Sequence, residues 1–436
     1  MSSIIIKNAK IIDPSENLDL TGHVTVQDGM IAYVGDDLRA AEEASGDEPR
    51  HIDANGLLLT PGLIDMHVHL REPGNEAEET IASGSMAAVA GGFTSVACMP
   101  NTEPSIDNES AIIFTRREAR RAGLANVFPV GAITAGRKGE ELAEMAQMAR
   151  GGAVAYSDDG VAVPTAGLLR RALFYSKMLD KPILEHCEDL SLVDGGVMDE
   201  GYMSTSLGLK GIPDESEEVI VARDVALARL TGGRIHIQHV STANSVEIIR
   251  RAKAEGIPVT AEVTPHHLSL TSDLLKNYDP VYKVAPPLRT LVDVEACRRG
   301  LKDGTIDAIA SDHAPQLEEE KELELAFAPC GMIGLETTVG VISTVLIHSG
   351  EFTWAELAPT MTSRPSDILK LGRGRIRTGL PGDLTLIDPD RKWTVDPEKF
   401  HSRSRNCPFR GWELKGRAVM TVVGGRVVYD LDGRER

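Results

Sequence analysis

The sequence predicts an α/β protein, a (β/α)8 barrel of the TIM type carrying a small β-sandwich domain built from both chain termini. Three observations lead there. Strand-like apolar runs and helix-like stretches alternate eight times through the middle of the chain. A texture of short strands and turns fills the first residues and returns only in the last. Ionisable residues follow the middle strands, where such a barrel keeps its chemistry. A length of 436 residues exceeds one average domain and accommodates a barrel with an appendage.

At the amino end, Ile4-Ile5-Ile6 and Ile11-Ile12 precede a turn at Asp13-Pro14, and the run Val24-Thr25-Val26 leads into Asp28-Gly29. Runs at 383–388, 418–423 and 426–429, separated by Asp-Pro and Gly-Gly turns, repeat that pattern at the other end. The economical reading is one composite β domain from 1–57 and 379–436, with 58–378 inserted as the barrel. Within the insert the expected strands are 62–68, 94–98, 127–133, 153–156, 182–185, 234–239, 258–263 and 306–310. Helix-like segments between them include 140–150, 165–179, 217–230 and 243–254. An open doubly wound sheet is the competitor, but no GxGxxG opens a helix after the first strand.

The stretch Thr60-Pro-Gly-Leu-Ile-Asp-Met-His67-Val68-His69-Leu70-Arg71 is the most informative in the chain. Side chains alternate along a strand, so His67 and His69 project from one face. Paired neutral imidazoles suit a borderline-soft cation such as zinc. Further polar residues fall at other strand ends: Asp158-Asp159 after the fourth, His186 after the fifth, His239 after the sixth, Asp312-His313 after the eighth. Four imidazoles and Asp312 supply five ligands, and Asp159 can bridge two ions. Asp312 would then also shuttle a proton to a leaving nitrogen.

With these motifs in view, the chain resembles the amidohydrolase superfamily and, within it, the bacterial dihydroorotases related to the multifunctional pyrimidine-synthesis enzymes. The resemblance is carried by PGLIDMHVHLREPG (61–74), GGFTSVACMPNTEP (91–104), YSDDG (156–160), LEHCED (184–189), IQHVST (237–242), EVTPHHL (262–268), YKVAPPLR (282–289), SDHAP (311–315) and GLET (334–337). It implies His67, His69, Asp159, His186, His239 and Asp312 as ligands of two zinc ions, with Asp159 bridging and Asp312 catalytic. It implies a substrate site of His69, Arg71, Asn101, Ala285, Gln316 and Cys330, in which Arg71 and Asn101 grip an α-carboxylate. Relatives that open hydantoins or allantoin bridge their metals with a carboxylated lysine. This chain has no lysine in 151–164, and Asp158 or Asp159 stands there; the spacing to His186 favours Asp159. Ala285, Gln316 and Cys330 depart from the family's usual asparagine, histidine and aromatic, which bears on substrate choice.

The implied activity is reversible interconversion of N-carbamoyl-L-aspartate and L-dihydroorotate in pyrimidine synthesis. Its rivals are a hydantoinase-like or allantoinase-like cyclic amidase and a non-catalytic homologue scaffolding aspartate transcarbamoylase. The implied assembly is a homodimer, associable with that transcarbamoylase. Lysine plus arginine number 46 against 65 aspartate plus glutamate, a net charge of −19 that disfavours nucleic acid and anionic membrane as partners. Five scattered cysteines, never in CxxC spacing, read as reduced thiols, and the absence of a signal-like or bilayer-length apolar run points to the cytoplasm. Adjacent His266 and His267 would face opposite sides of a strand and take structural roles. Glu318–Glu324 with Lys321 reads as a solvated loop beside the SDHAP motif that could close over substrate.

Overall fold

The computed structural model describes residues 3–46 and 48–434. Its barrel strands are Leu63–Val68, Phe93–Cys98, Asn126–Pro129, Ile183–Glu185, Ile235–Ile237, Val259–Val263 and Ala308–Ile309, all pairing in parallel, plus a short stave centred on Tyr156. That stave bridges Gly131 on one side and Ile183 on the other. Val68 bridges His313 and closes the ring. The expected eight strands are therefore all located, several of them shorter than read from sequence.

Strands buried on both sides read as continuous apolar runs, and every residue of Leu63–Val68 and Phe93–Cys98 is buried. Helices follow the strands around the outside, among them Ile81–Ala90, Glu109–Ala122, Ala166–Met178, Glu215–Thr231, Ala243–Ala254 and Leu291–Asp303. Their starts are set by side-chain caps: Thr165 Oγ1 accepts from Leu168 N, and Thr242 Oγ1 from Ser245 N. The helix expected over 140–150 begins only at Met145. Residues 141–143 are taken instead by backbone hydrogen bonds between Ala135 N and Glu141 O and between Ala143 N and Ile133 O.

Strands from both ends of the chain form one eight-stranded sheet. Ser3–Asp13 pairs antiparallel with Leu18–Gln27, and Leu384–Thr394 with Glu413–Val423. Leu58–Pro61 joins the two halves, pairing with Ser3–Asp13 and Leu384–Thr394, so this strand belongs to the terminal sheet and the barrel starts at Leu63. The β-sandwich part of the fold is thus a continuous hydrogen-bonded path around its own core, which includes Ile4, Ile6, Val24, Leu59, Leu386 and Val422. All five cysteines are free, and no helix among the described residues is long and apolar enough to cross a membrane.

Candidate metal centre

The carboxyl ends of the barrel strands bring six side chains to one buried point. His67 lies in the first strand and His69 one residue past it, with ring centroids 5.3 Å apart. Their outer nitrogens are fixed. His67 Nδ1 lies 2.6 Å from Glu262 Oε1, and His69 Nδ1 lies 2.8 Å from Asn101 Oδ1. Both acceptors are oxygens, so each Nδ1 carries the proton and each Nε2 turns a lone pair inward.

Two carboxylates meet those lone pairs. His67 Nε2 is 3.2 Å from Asp159 Oδ1 and 3.6 Å from Asp312 Oδ1; His69 Nε2 is 3.0 Å from Asp312 Oδ1 and 3.5 Å from Asp159 Oδ2. His186 Nδ1 and His239 Nε2 stand 2.9 Å apart and approach the same carboxylate, at 3.8 and 3.9 Å from Asp159 Oδ1. Asp159 therefore reaches donors of both kinds, His67 and His69 beside Asp312 and the adjoining His186 and His239. The donor atoms of His67, His69 and Asp312 lie within 4.8 Å of one another, as do those of His67, Asp159 and His239.

The donor set fits divalent cations. His67 Nε2 and Asp159 Oδ1 are buried and have no hydrogen-bond partner among the described residues although they face each other. Such orphans are costly unless something else satisfies them. Charge points the same way. Burial works against a protonated His67, yet Asp159, Asp312 and Glu262 hold its pKa well above the usual value. Burial likewise opposes an ionised Asp159, but His67, His186 and His69 hold its carboxyl well below the usual range. The cavity demands positive charge between these groups, and a metal ion supplies it without protons. His239 is driven the other way, by burial and then by His186 and His67, and stays neutral, the form that ligates.

Asp158 turns away from this centre. Its carboxylate accepts from Ile133 N at 2.9 Å, Thr134 N at 3.0 Å and Thr134 Oγ1, fastening the loop after the third strand. His313 also points elsewhere: its Nδ1 accepts from Gly334 N at 3.2 Å and its Nε2 lies 3.3 Å from Glu79 Oε2. His266 and His267 sit in a turn over 265–269 rather than on a strand, with ring centroids 4.6 Å apart. The expectation that alternation separates them fails because the strand ends at Val263.

A cavity of about 340 Å³ opens above the centre and is lined by His69, Arg71, Asn101, Ala285, Gln316 and Cys330 together with the donors Asp159, His186, His239 and Asp312. Arg71 is buried with a positive φ of 59°, and its Nε reaches Pro315 O at 3.1 Å and Glu78 Oε2 at 2.9 Å. Asn101 spends its carbonyl on His69, leaving its amide nitrogen for the cavity. Gln316 donates from its amide nitrogen to Cys330 O at 2.8 Å, a contact to the backbone. Lys321 is tucked beneath its loop, donating to Pro329 O at 3.0 Å and Gly331 O at 3.2 Å, and burial brings its pKa down to about 8. The segment read as solvated is therefore tied down through its lysine.

Sequence reasoning missed Glu262, Asp65, Glu78 and Glu188, the last lining the cavity with its Oε2 3.5 Å from His186 Nε2. Glu262 lies 3.1 Å from His236 Nε2 as well as against His67 Nδ1; burial raises its pKa, but the two imidazoles outweigh that and hold it at about 2. Asp65 accepts from Ser311 N and His67 N, both at 3.1 Å, and so stitches the eighth strand to the first. Burial pushes its carboxyl up to about 7. The spacing Asp65, His67, His69 was a readable signal for one of these, since all three share a strand face.

Known proteins share this architecture and this sequence. A family described as Dihydro-orotase-like matches residues 56–245. The chain is 54% identical over 425 residues to the dihydroorotase of Pelotomaculum thermopropionicum, covering 98% of each. It is 49% identical to that of Citrifermentans bemidjiense over 98% of this chain and 99% of the relative. Among solved structures, L-hydantoinase (dihydropyrimidinase) from Arthrobacter aurescens superposes with a TM-score of 0.88 at 26% identity, covering 99% of this chain and 96% of that one. Dihydropyrimidinase from Brevibacillus agri, at 22% identity, superposes with a TM-score of 0.85 over 98% of this chain and 95% of its own, a likeness of fold.

Proposed function

We propose the activity from one premise: the chain belongs to the dihydroorotase family. It is a hydrolase of cyclic amide bonds that interconverts L-dihydroorotate and N-carbamoyl-L-aspartate, a step of pyrimidine synthesis. The observation that carries this reading is a cavity that brings five of the metal donors, His69, Asp159, His186, His239 and Asp312, together with a buried guanidinium. Neutral ureides give a guanidinium little to do, whereas a desolvated carboxylate needs one.

We assign His67, His69, His186, His239, Asp159 and Asp312 as the residues that would hold two zinc ions, which would share Asp159. When bound, such ions polarise a ring carbonyl and acidify a water at neutral pH. The chain's own groups do the rest. Arg71 and the Asn101 amide hold the substrate carboxylate and so orient the ring. Asp312 accepts the proton released as water adds to the ring carbonyl and delivers it to the departing nitrogen when the C–N bond breaks. In the reverse direction Asp312 takes the ureido proton and water leaves. Glu262 and Asn101 keep His67 and His69 in the ligating tautomer.

Turnover of dihydroorotate, hydantoin and allantoin by the zinc-loaded protein tests this assignment. Dihydroorotate should be the substrate with the largest kcat/KM; preference for either neutral ureide would replace it with the cyclic-amidase reading that the hydantoinase likeness favours. From the family resemblance we also assign a cytoplasmic homodimer that can associate with aspartate transcarbamoylase, which sedimentation of the protein alone and mixed with that enzyme tests.

A further inference from the structure

At the opposite mouth of the barrel from the metal centre lies a second cavity, of about 480 Å³, between the helix Glu109–Ala122, the starts of the third to fifth staves, and the segment 369–373. Six cations line it: Arg116, Arg120, Lys181, Lys370, Arg373 and Arg426. Among the described residues no acidic one does. In a chain of net charge −19 this concentration of one sign is against the background.

The cations are mostly not spent on carboxylates. Lys370 pairs with Asp180 and Arg373 with Asp383 at 2.8 Å. The other four have no carboxylate ion pair among the described residues. Arg116 donates to Gly151 O at 2.6 Å, Arg120 to Arg116 O at 3.3 Å and Arg426 to Gly123 O at 3.1 Å, single carbonyl contacts that leave most of each guanidinium unused. The Lys181 ammonium makes no hydrogen bond among the described residues, because its neighbour Asp180 is taken by Lys370 and Arg234. Arg373 Nε is buried without a hydrogen-bond partner among the described residues. Two acids beside six cations leave the cleft with a surplus of about four positive charges, focused by low-dielectric walls. The backbone makes room for this. Gly152 has a φ of +111°, and a Cβ there would lie 2.5 Å from an Arg116 guanidinium nitrogen.

We propose that this cleft binds a small molecule carrying two or more phosphate charges. The volume is that of a small-ligand site, and planar forks meeting from several directions suit phosphate oxygens. The site lies apart from the metal centre and does not depend on which cyclic amide the enzyme opens.

Calorimetric titration of the metal-loaded protein with fructose 1,6-bisphosphate and with ADP tests the proposal. At least one should bind, more weakly as salt rises, and Arg120→Gln/Lys181→Gln/Arg426→Gln should weaken it by roughly tenfold or more while metal content and dihydroorotate turnover stay unchanged. Tighter binding of ADP would identify a nucleotide, and tighter binding of the bisphosphate a sugar phosphate; both uphold the site. Arg120→Gln alone, should the triple variant not fold, is expected to cost several-fold. No binding of either probe at 10 mM, equal binding by the variants, or tighter binding of a single-stranded oligonucleotide through the same residues would overturn it.

Discussion

Two pairs of neighbouring histidines, His67 with His69 and His266 with His267, sit near the same end of the barrel and have opposite fates. Each ring of the first pair has its Nδ1 held by an oxygen and its Nε2 aimed at Asp159 and Asp312. In the second pair, His267 is consumed by Thr264 Oγ1 at 2.9 Å and Pro286 O at 3.1 Å, and His266 Nε2 is buried with no hydrogen-bond partner among the described residues. Burial then drives His266 and His267 below the usual imidazole pKa, while His67 is held above it by its carboxylates. Proximity of imidazoles does not make a metal site; aim and facing acids do.

Substitutions can break that contrast in graded fashion. The largest loss is expected from Asp312→Asn, which should retain the fold yet cut turnover by roughly 10²–10⁴-fold, the usual worth of a positioned acid-base group. Activity near that of the parent would remove Asp312 from the proton path. Next comes Arg71→Ala, with metal content unchanged and kcat/KM for dihydroorotate lowered by about 30-fold to several thousand-fold, corresponding to about 2–5 kcal/mol. Arg71→Lys should recover little, because an ammonium lacks the planar fork. For Glu262→Gln, zinc affinity measured by competition with a chelator should fall roughly 10- to 100-fold. An unchanged affinity would mean that Glu262 serves packing alone. The smallest functional effect belongs to His267→Ala: the thermal unfolding midpoint should drop, for about 1–3 kcal/mol from orphaned buried partners, while zinc content holds. Loss of zinc there would erase the distinction between the two pairs.

Much of this was legible beforehand because the barrel writes its plan locally. Proline and glycine open the stretch that leads into the first strand, alternation puts His67 and His69 on one face, and the helix-like stretches 165–179 and 243–254 correspond to helices of the structure. Choosing between Asp158 and Asp159 was harder, since adjacent residues of one type differ only in where tertiary structure turns them; Ile133 and Thr134 claim one and the imidazoles the other. Glu262 gave no local signal, because its partner His67 is 195 residues away in sequence. The tie of Lys321 to Pro329 and Gly331 was hidden for another reason: an acidic run with one lysine looks solvated until the loop folds back over its ammonium.

The central claim is that Asp159 joins two groups of donors into one two-ion centre, and zinc stoichiometry tests it most directly. The purified parent protein, reconstituted and freed of loose metal, should hold two zinc ions per chain. Asp158→Ala should hold nearly as much, and Asp159→Ala should hold one or fewer, with no dependence on added bicarbonate. Two tightly held zinc ions in Asp159→Ala, or greater zinc loss in Asp158→Ala, would contradict it.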